Sequence, residues 1–143
     1  MSRIKILLPE NFSFFTTIPV RITDVNYGGH VGNDSILSLI HEARVQFLKS
    51  YQWTEMNLAG VGLIMSDVGI EFKNELFYGQ QLKVHVKAAN LSRAGFDLFY
   101  KMVIDTIEKE TIIAVAKTGM VAFNYSQKKV VALPDNVREA FAG

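Results

Sequence analysis

The sequence predicts an α+β protein in which a curved antiparallel sheet of about five strands wraps one long helix. Three observations carry that prediction. One long stretch of the 143 residues, Asp34 to Tyr51, repeats its apolar residues at helical spacing. Four segments after it carry strand patterning and are joined by short turns, and one further strand-like segment precedes it. Strands that follow one another through short connections pair antiparallel, and a single amphipathic helix buries its apolar stripe on one face of such a sheet.

The first element is Phe14 to Thr23, rich in aromatic and β-branched residues. Pro19 inside it withholds a backbone donor, which places this strand near a sheet edge or at an interruption. The polar, glycine-containing stretch Asp24 to Asn33 follows, and Asn33 or Asp34 is expected to cap the helix, because a short side-chain oxygen accepts from the free N–H groups of a first turn. Within the helix, Ile36, Leu37, Ile40, Ala43, Phe47, Leu48 and Tyr51 form the apolar set; Asp34, Ser38, His41, Glu42 and Lys49 fall mostly on the other faces. After a linking turn near Met56 to Gly60, Gly62 to Leu76 reads as a strand and Tyr78 to Gln80 as a turn. Leu82, Val84, Val86 and Ala88 alternate with Lys83, His85 and Lys87, the period of a sheet with one buried face. Phe96, Leu98, Tyr100, Met102 and Ile104 repeat it after the turn Ser92 to Gly95. Ile112 to Tyr125 is the last strand, and Pro134 to Phe141 reads as a short helix with proline in its first turn. Long strands leave unpaired edges, so a homodimer, or a tetramer built from two, is expected.

At 143 residues, nearly half of them apolar, the chain fills one core, and a single domain over 1–143 is expected. Fifteen basic residues against fourteen acidic give a net charge of +1, too weak a field to hold nucleic acid or an anionic membrane. Cysteine is absent, which excludes disulfides, thiolate metal sites and a cysteine nucleophile. His30, His41 and His85 are too scattered to suggest a metal site. The apolar run Ile4 to Leu8 is interrupted by Lys5 and stopped by Pro9, unlike a signal peptide, so a cytoplasmic protein is expected.

Chemistry concentrates before the helix. Asp24, Asn26, His30, Asn33 and Asp34 lie close together, interleaved with Gly28, Gly29 and Gly32, and glycines let backbone approach a ligand. A helix starting there offers free N–H groups and a positive dipole end, suited to an oxyanion. Residue types alone favour a helix-capping loop whose Asp and Asn side chains bond to local backbone. The run Val20 to Asn33, with His41-Glu-Ala-Arg44 downstream, resembles the signature of the hotdog-fold acyl-CoA thioesterases related to 4-hydroxybenzoyl-CoA thioesterase. That resemblance implies hydrolysis of an acyl-CoA or acyl-carrier thioester, with coenzyme A as part of the substrate and no cofactor or metal. It implies that the carbonyl points at the backbone N–H near Asn33, and that Tyr27 and Gly29 lie with Asp24 along the substrate path.

The family's second acidic residue falls on Asn26, and an amide cannot take a proton from water near neutral pH. Three readings follow. Asn26 positions water while His30 acts as base; or Glu42, further along the helix, supplies the carboxylate; or the protein binds a thioester without cleaving it. A hotdog hydratase is weaker, because its aspartate/histidine pattern is missing. Asp24 reads as an orienting group at the strand end. Ser92 and Arg93, in the turn Asn90 to Gly95, are candidate partners for the CoA phosphates, and an ordinary hairpin turn explains them equally well. Glu42 and Arg44 also fit a surface or dimer contact, and His41 and His85 read as solvated.

Overall fold

The computed structural model describes residues 3–142. Its elements run β1 (Phe14–Pro19), a 3-10 turn (Ile22–Asp24), α1 (Asn33–Lys49), β2 (Gly62–Phe72), β3 (Gln81–Ala89), β4 (Gly95–Asp105), β5 (Glu110–Asn124), β6 (Lys129–Val130) and α2 (Asp135–Phe141). The six strands form one antiparallel sheet in the order β1-β3-β4-β5-β2, with β6 added to the end of β5. The expected five strands are therefore joined by a sixth, too short to carry a two-residue period.

The inner face of the sheet is apolar by alternation. Leu82, Val84, Val86 and Ala88 of β3 and Phe96, Leu98, Tyr100 and Met102 of β4 are buried with Ile36, Leu39, Ile40, Ala43, Phe47 and Leu48 of α1. α2 closes one end, where Phe141 packs among Phe47, Tyr51, Trp53 and Phe96 at ring-centroid separations of 5.0–5.8 Å.

Boundaries shift for local reasons. β1 stops at Pro19 instead of Thr23, because Arg21 N–H then donates to the Asp24 carboxylate (2.8 Å) and the chain coils into the 3-10 turn. β1 pairs only with β3 among the described residues, the edge position that Pro19 predicts. β2 stops at Phe72 instead of Leu76, since Lys73 and Asn74 both turn their N–H groups to the Ile113 carbonyl and Asn74 Nδ2 donates to Ile112 O (2.7 Å). α2 starts one residue late, with Pro134 outside it as the cap. Neither Asn33 nor Asp34 caps α1. Gly32 holds that position and no side chain accepts from the helix start, because Asp34 folds its carboxylate back over Gly32.

The outer face is covered by the N-terminal segment. Ile6 N–H donates to Glu71 Oε1 (3.2 Å), while further along Lys87 Nζ donates to Glu10 O (2.7 Å) and the Phe12 ring lies 5.9 Å from His85. The segment thus spans from β2 to β3, and Phe99, Val103 and Val115 on that face are buried. His85, expected to be solvated, is half-buried between Phe12 and Phe15. Desolvation, then the Lys83 and Lys101 charges, push its imidazole below its ordinary pKa. The unfolded chain therefore takes up this proton more readily, so the stabilisation from neutral His85 is present above about pH 6.5 and is lost as the pH falls below it. Melting temperature should drop more steeply over that interval in the wild type than in His85→Gln, and parallel curves would refute the assignment.

Candidate active site

The segment before α1 folds as a small closed loop. Val25 and Val31 bridge antiparallel at its neck, Asn26 N–H donates to His30 O (3.1 Å) and Gly29 N–H donates to Asn26 O (3.1 Å). Gly29 sits at φ +82°, the left-handed conformation that the turn requires and a side chain would strain. Asn26 and His30 therefore face each other across the neck.

The Asn26 amide spans the gap between this loop and the helix. Its Oδ1 accepts from Gly28 N–H (2.9 Å), and its Nδ2 lies 3.3 Å from the place a Cβ would occupy on Gly32. A Cβ on Gly28 would stand 3.2 Å from both Asn26 Oδ1 and His30 Nε2, so both polar groups border the same small space. His30 Nδ1 lies 3.3 Å from Val31 O; with the proton on Nδ1, Nε2 carries the free lone pair. Ile36 N–H to Gly32 O (3.1 Å) is the first bond of α1, and the N–H groups of Asn33, Asp34 and Ser35 precede it.

His30, Val31, Asn33 and Ile36 form one wall of a cleft of about 250 Å³, and Phe72 to Leu76 with Ile113 form the other. The second wall includes Lys73, Asn74 and Glu75, exposed residues that give no spacing signal in the sequence and that a strand read through Leu76 conceals. The walls are tied by Val31 N–H to Leu76 O (2.8 Å). Glu75 is the carboxylate of this cleft.

The other candidates lie elsewhere. Glu42 accepts from Gln46 Nε2 (2.8 Å) and lines a separate groove of about 450 Å³ between α1 and β1, with Thr16 to Pro19. Asp24 is 5% exposed, its carboxylate engaged by Arg21. Tyr27 is fully exposed at the loop tip. Ser92 Oγ closes its own turn on the Gly95 backbone and lines a third cleft, while the exposed Arg93 offers its carbonyl to Arg138. His41 stays on the helix surface but is bonded to Glu55 (2.8 Å). Arg44 departs most from its surface reading: it is 6% exposed, its Nη1 donates to Tyr100 OH (3.3 Å), and Tyr100 and Thr118 share a 2.8 Å hydroxyl bond. Burial pushes the Tyr100 phenol above its ordinary pKa, so it stays protonated. Among the described residues no three His, Asp or Glu side chains converge on a metal position, and no helix is long and apolar enough to cross a membrane.

With this geometry in place, comparison with known proteins decides the family. Residues 20–141 match the thioesterase-like superfamily. The chain belongs to that superfamily. A "Putative esterase" of Aquifex aeolicus (strain VF5) is 29% identical over 122 residues, which cover 84% of this chain and 91% of that protein. A 1,4-dihydroxy-2-naphthoyl-CoA thioesterase from Synechocystis superposes with a TM-score of 0.79 at 23% identity, covering 90% of this chain and 95% of that one. A DHNA-CoA thioesterase from Staphylococcus aureus gives 0.78 at 18% identity, covering 90% and 87%. These likenesses bear on the fold, and they agree with the hotdog resemblance carried by Val20 to Asn33. Thioesterase-superfamily membership makes thioester hydrolysis the general activity to which the cleft is compared.

Proposed function

We propose that this thioesterase-superfamily protein hydrolyses an acyl-CoA thioester in the cleft at the start of α1. The observation that carries the reading is the uncapped N-terminus of α1 opening beside Asn26 and His30. Backbone N–H groups free of a side-chain cap stabilise the oxyanion that develops on the thioester carbonyl. Asn26 orients water, His30 Nε2 takes its proton, and the proton passes to the departing CoA thiolate. Glu75 lines the opposite wall of the same cleft. No metal or cofactor enters, and coenzyme A takes part only as the leaving group.

The protein acts in the cytoplasm as a homodimer, or as a pair of dimers. β2 lies at the sheet edge, with Met65, Val68 and Phe72 exposed along it, which suits pairing with a second copy. The His30 cleft and the Ser92 cleft share no lining residue, and in such a dimer a CoA held at the Ser92 turn of one copy would present its thioester to His30 of the other. An acyl-carrier thioester fits the same chemistry.

Asn26 favours one rival: a thioester-binding protein that does not hydrolyse. The test is free-thiol release from a panel of acyl-CoA and acyl-carrier thioesters, aliphatic and aromatic. Turnover of at least one supports hydrolysis; measurable binding with no turnover on any of them overturns it in favour of the binder.

A further inference from the structure

Three ionisable side chains line the cleft at the start of α1: His30 on one wall, Lys73 and Glu75 on the other. Lys73 is already engaged. Its Nζ donates to Glu71 Oε2 at 3.0 Å, and the other oxygen of that carboxylate accepts from Ile6 N–H at 3.2 Å. The Lys73 bond first, and then the Ile6 bond, hold the Glu71 carboxyl below its ordinary pKa, so it stays charged near neutrality and keeps its hold on Lys73. The N-terminal segment is seated on β2 beside this pair, where Ile6 and Ile4 lie 3.8 and 3.9 Å from the place a Cβ would occupy on Gly69.

Glu75 has no such partner. Among the described residues it forms neither an ion pair nor a hydrogen bond, with Lys73 or with any other group. Its neighbour Asn74 is neutral and commits its Nδ2 to Ile112 O at 2.7 Å. The positive end of α1 does not offset the charge, since Asp34 folds its carboxylate back over Gly32 there and the proposed oxyanion draws on the same N–H groups. The wall facing His30 therefore carries one uncompensated carboxylate, an acceptor without a donor.

A compact cleft of about 250 Å³ is about 8 Å across, no wider than the screening length at physiological salt, so a charge anywhere inside it feels Glu75. We propose that Glu75, left uncompensated because Glu71 holds Lys73, makes this cleft select its acyl group by charge: acyl groups ending in an ammonium ahead of neutral ones, and neutral ones ahead of those ending in a carboxylate. The inference rests on the cleft holding the acyl group of the proposed thioester.

The test compares the intact protein on 6-aminohexanoyl-CoA, hexanoyl-CoA and adipoyl-CoA, and measures dissociation constants of the matching non-hydrolysable thioethers by calorimetry. In the wild type kcat/KM should fall by about three- to fivefold at each step of that series at low salt, the upper end of what an exposed ion pair contributes. The steps should shrink toward one in about 1 M salt, where charges are screened within about 3 Å, while the CoA moiety common to all three cancels from the ratios. Glu75→Gln should bring the ratios toward one whatever it does to the common rate. Glu71→Gln keeps an acceptor for Ile6 N–H and frees Lys73 to offset Glu75, so it should reduce them as well. Equal wild-type values for the three substrates overturn the proposal whether or not either variant folds, and so does an ordering that salt and Glu75→Gln leave unchanged. Full selectivity in Glu71→Gln would overturn the role given to the Glu71–Lys73 pair. If no ester is hydrolysed while the thioethers bind in the expected order, the charge selection stands and the hydrolase reading falls. If all three are hydrolysed equally, the charge selection falls and the hydrolase reading stands.

Discussion

His30→Ala is expected to lower kcat for acyl-CoA hydrolysis by about 10²- to 10⁴-fold, the range that a positioned general base contributes. Glu42→Ala should change it little, because Glu42 lines the α1–β1 groove and is bonded to Gln46. Glu75→Gln should fall between the two, because Glu75 lines the same cleft as His30 without sharing its loop. The companion change is Asn26→Asp. One carboxylate oxygen would keep the Gly28 N–H bond, and the other would take the place of Nδ2 near Gly32, at the positive end of α1. The nearby Asp34 carboxylate opposes that charge. A carboxylate at this position restores a base of the kind the family resemblance implies, and a gain of about tenfold is the expected result. Steady-state kinetics on the best substrate of the panel checks all four variants. Full activity in His30→Ala would remove His30 from the mechanism, and a rate in Glu42→Ala as low as that of His30→Ala would move the base to the helix groove.

Gly95→Ala should destabilise the fold by about 3 kcal/mol or more, through overpacking that neither partner can relieve. A Cβ there would stand far inside van der Waals contact with the Met120 carbonyl oxygen, with Val121 Cα close behind, and both belong to the paired strand β5. Backbone inside a ladder does not rotate away as a side-chain end does. The same change would displace the Ser92 hydroxyl, which both donates to Gly95 O and accepts from its N–H at 3.2 Å. Urea unfolding monitored by far-UV circular dichroism should show the lowered midpoint, and a loss below about 1 kcal/mol would mean that β4 and β5 separate more readily than their register suggests. Arg138 ties the carbonyls of Ser92 and Arg93 to α2, so the damage should extend to the C-terminal helix.

The sequence disclosed whatever depends on neighbours along the chain. The alternation of Leu82, Val84, Val86 and Ala88 predicts which face of β3 is buried, and Pro19 predicts that β1 is an edge, because both follow from a few consecutive backbones and side chains. The helix period over Asp34 to Tyr51 locates α1 to within two residues at each end. It could not separate a capped from an uncapped helix start. That depends on whether Asp34 turns to the free N–H groups or back over Gly32, a choice between two local contacts of similar worth.

What the sequence by itself determined is therefore the class of fold and the loop where chemistry is sought. The tertiary structure decided the rest, because the remaining facts join residues far apart in the chain. Glu75 enters the His30 cleft because the Leu76 carbonyl accepts from Val31. His85 loses water because Phe12 lies over a strand that begins nearly seventy positions later. Arg44 reads as a surface cation in any local pattern, since charged side chains are seldom buried without a partner. Its partners are Glu55, in the connection after α1, and Tyr100, on the inner face of β4, and only the closing of sheet over helix brings them to it.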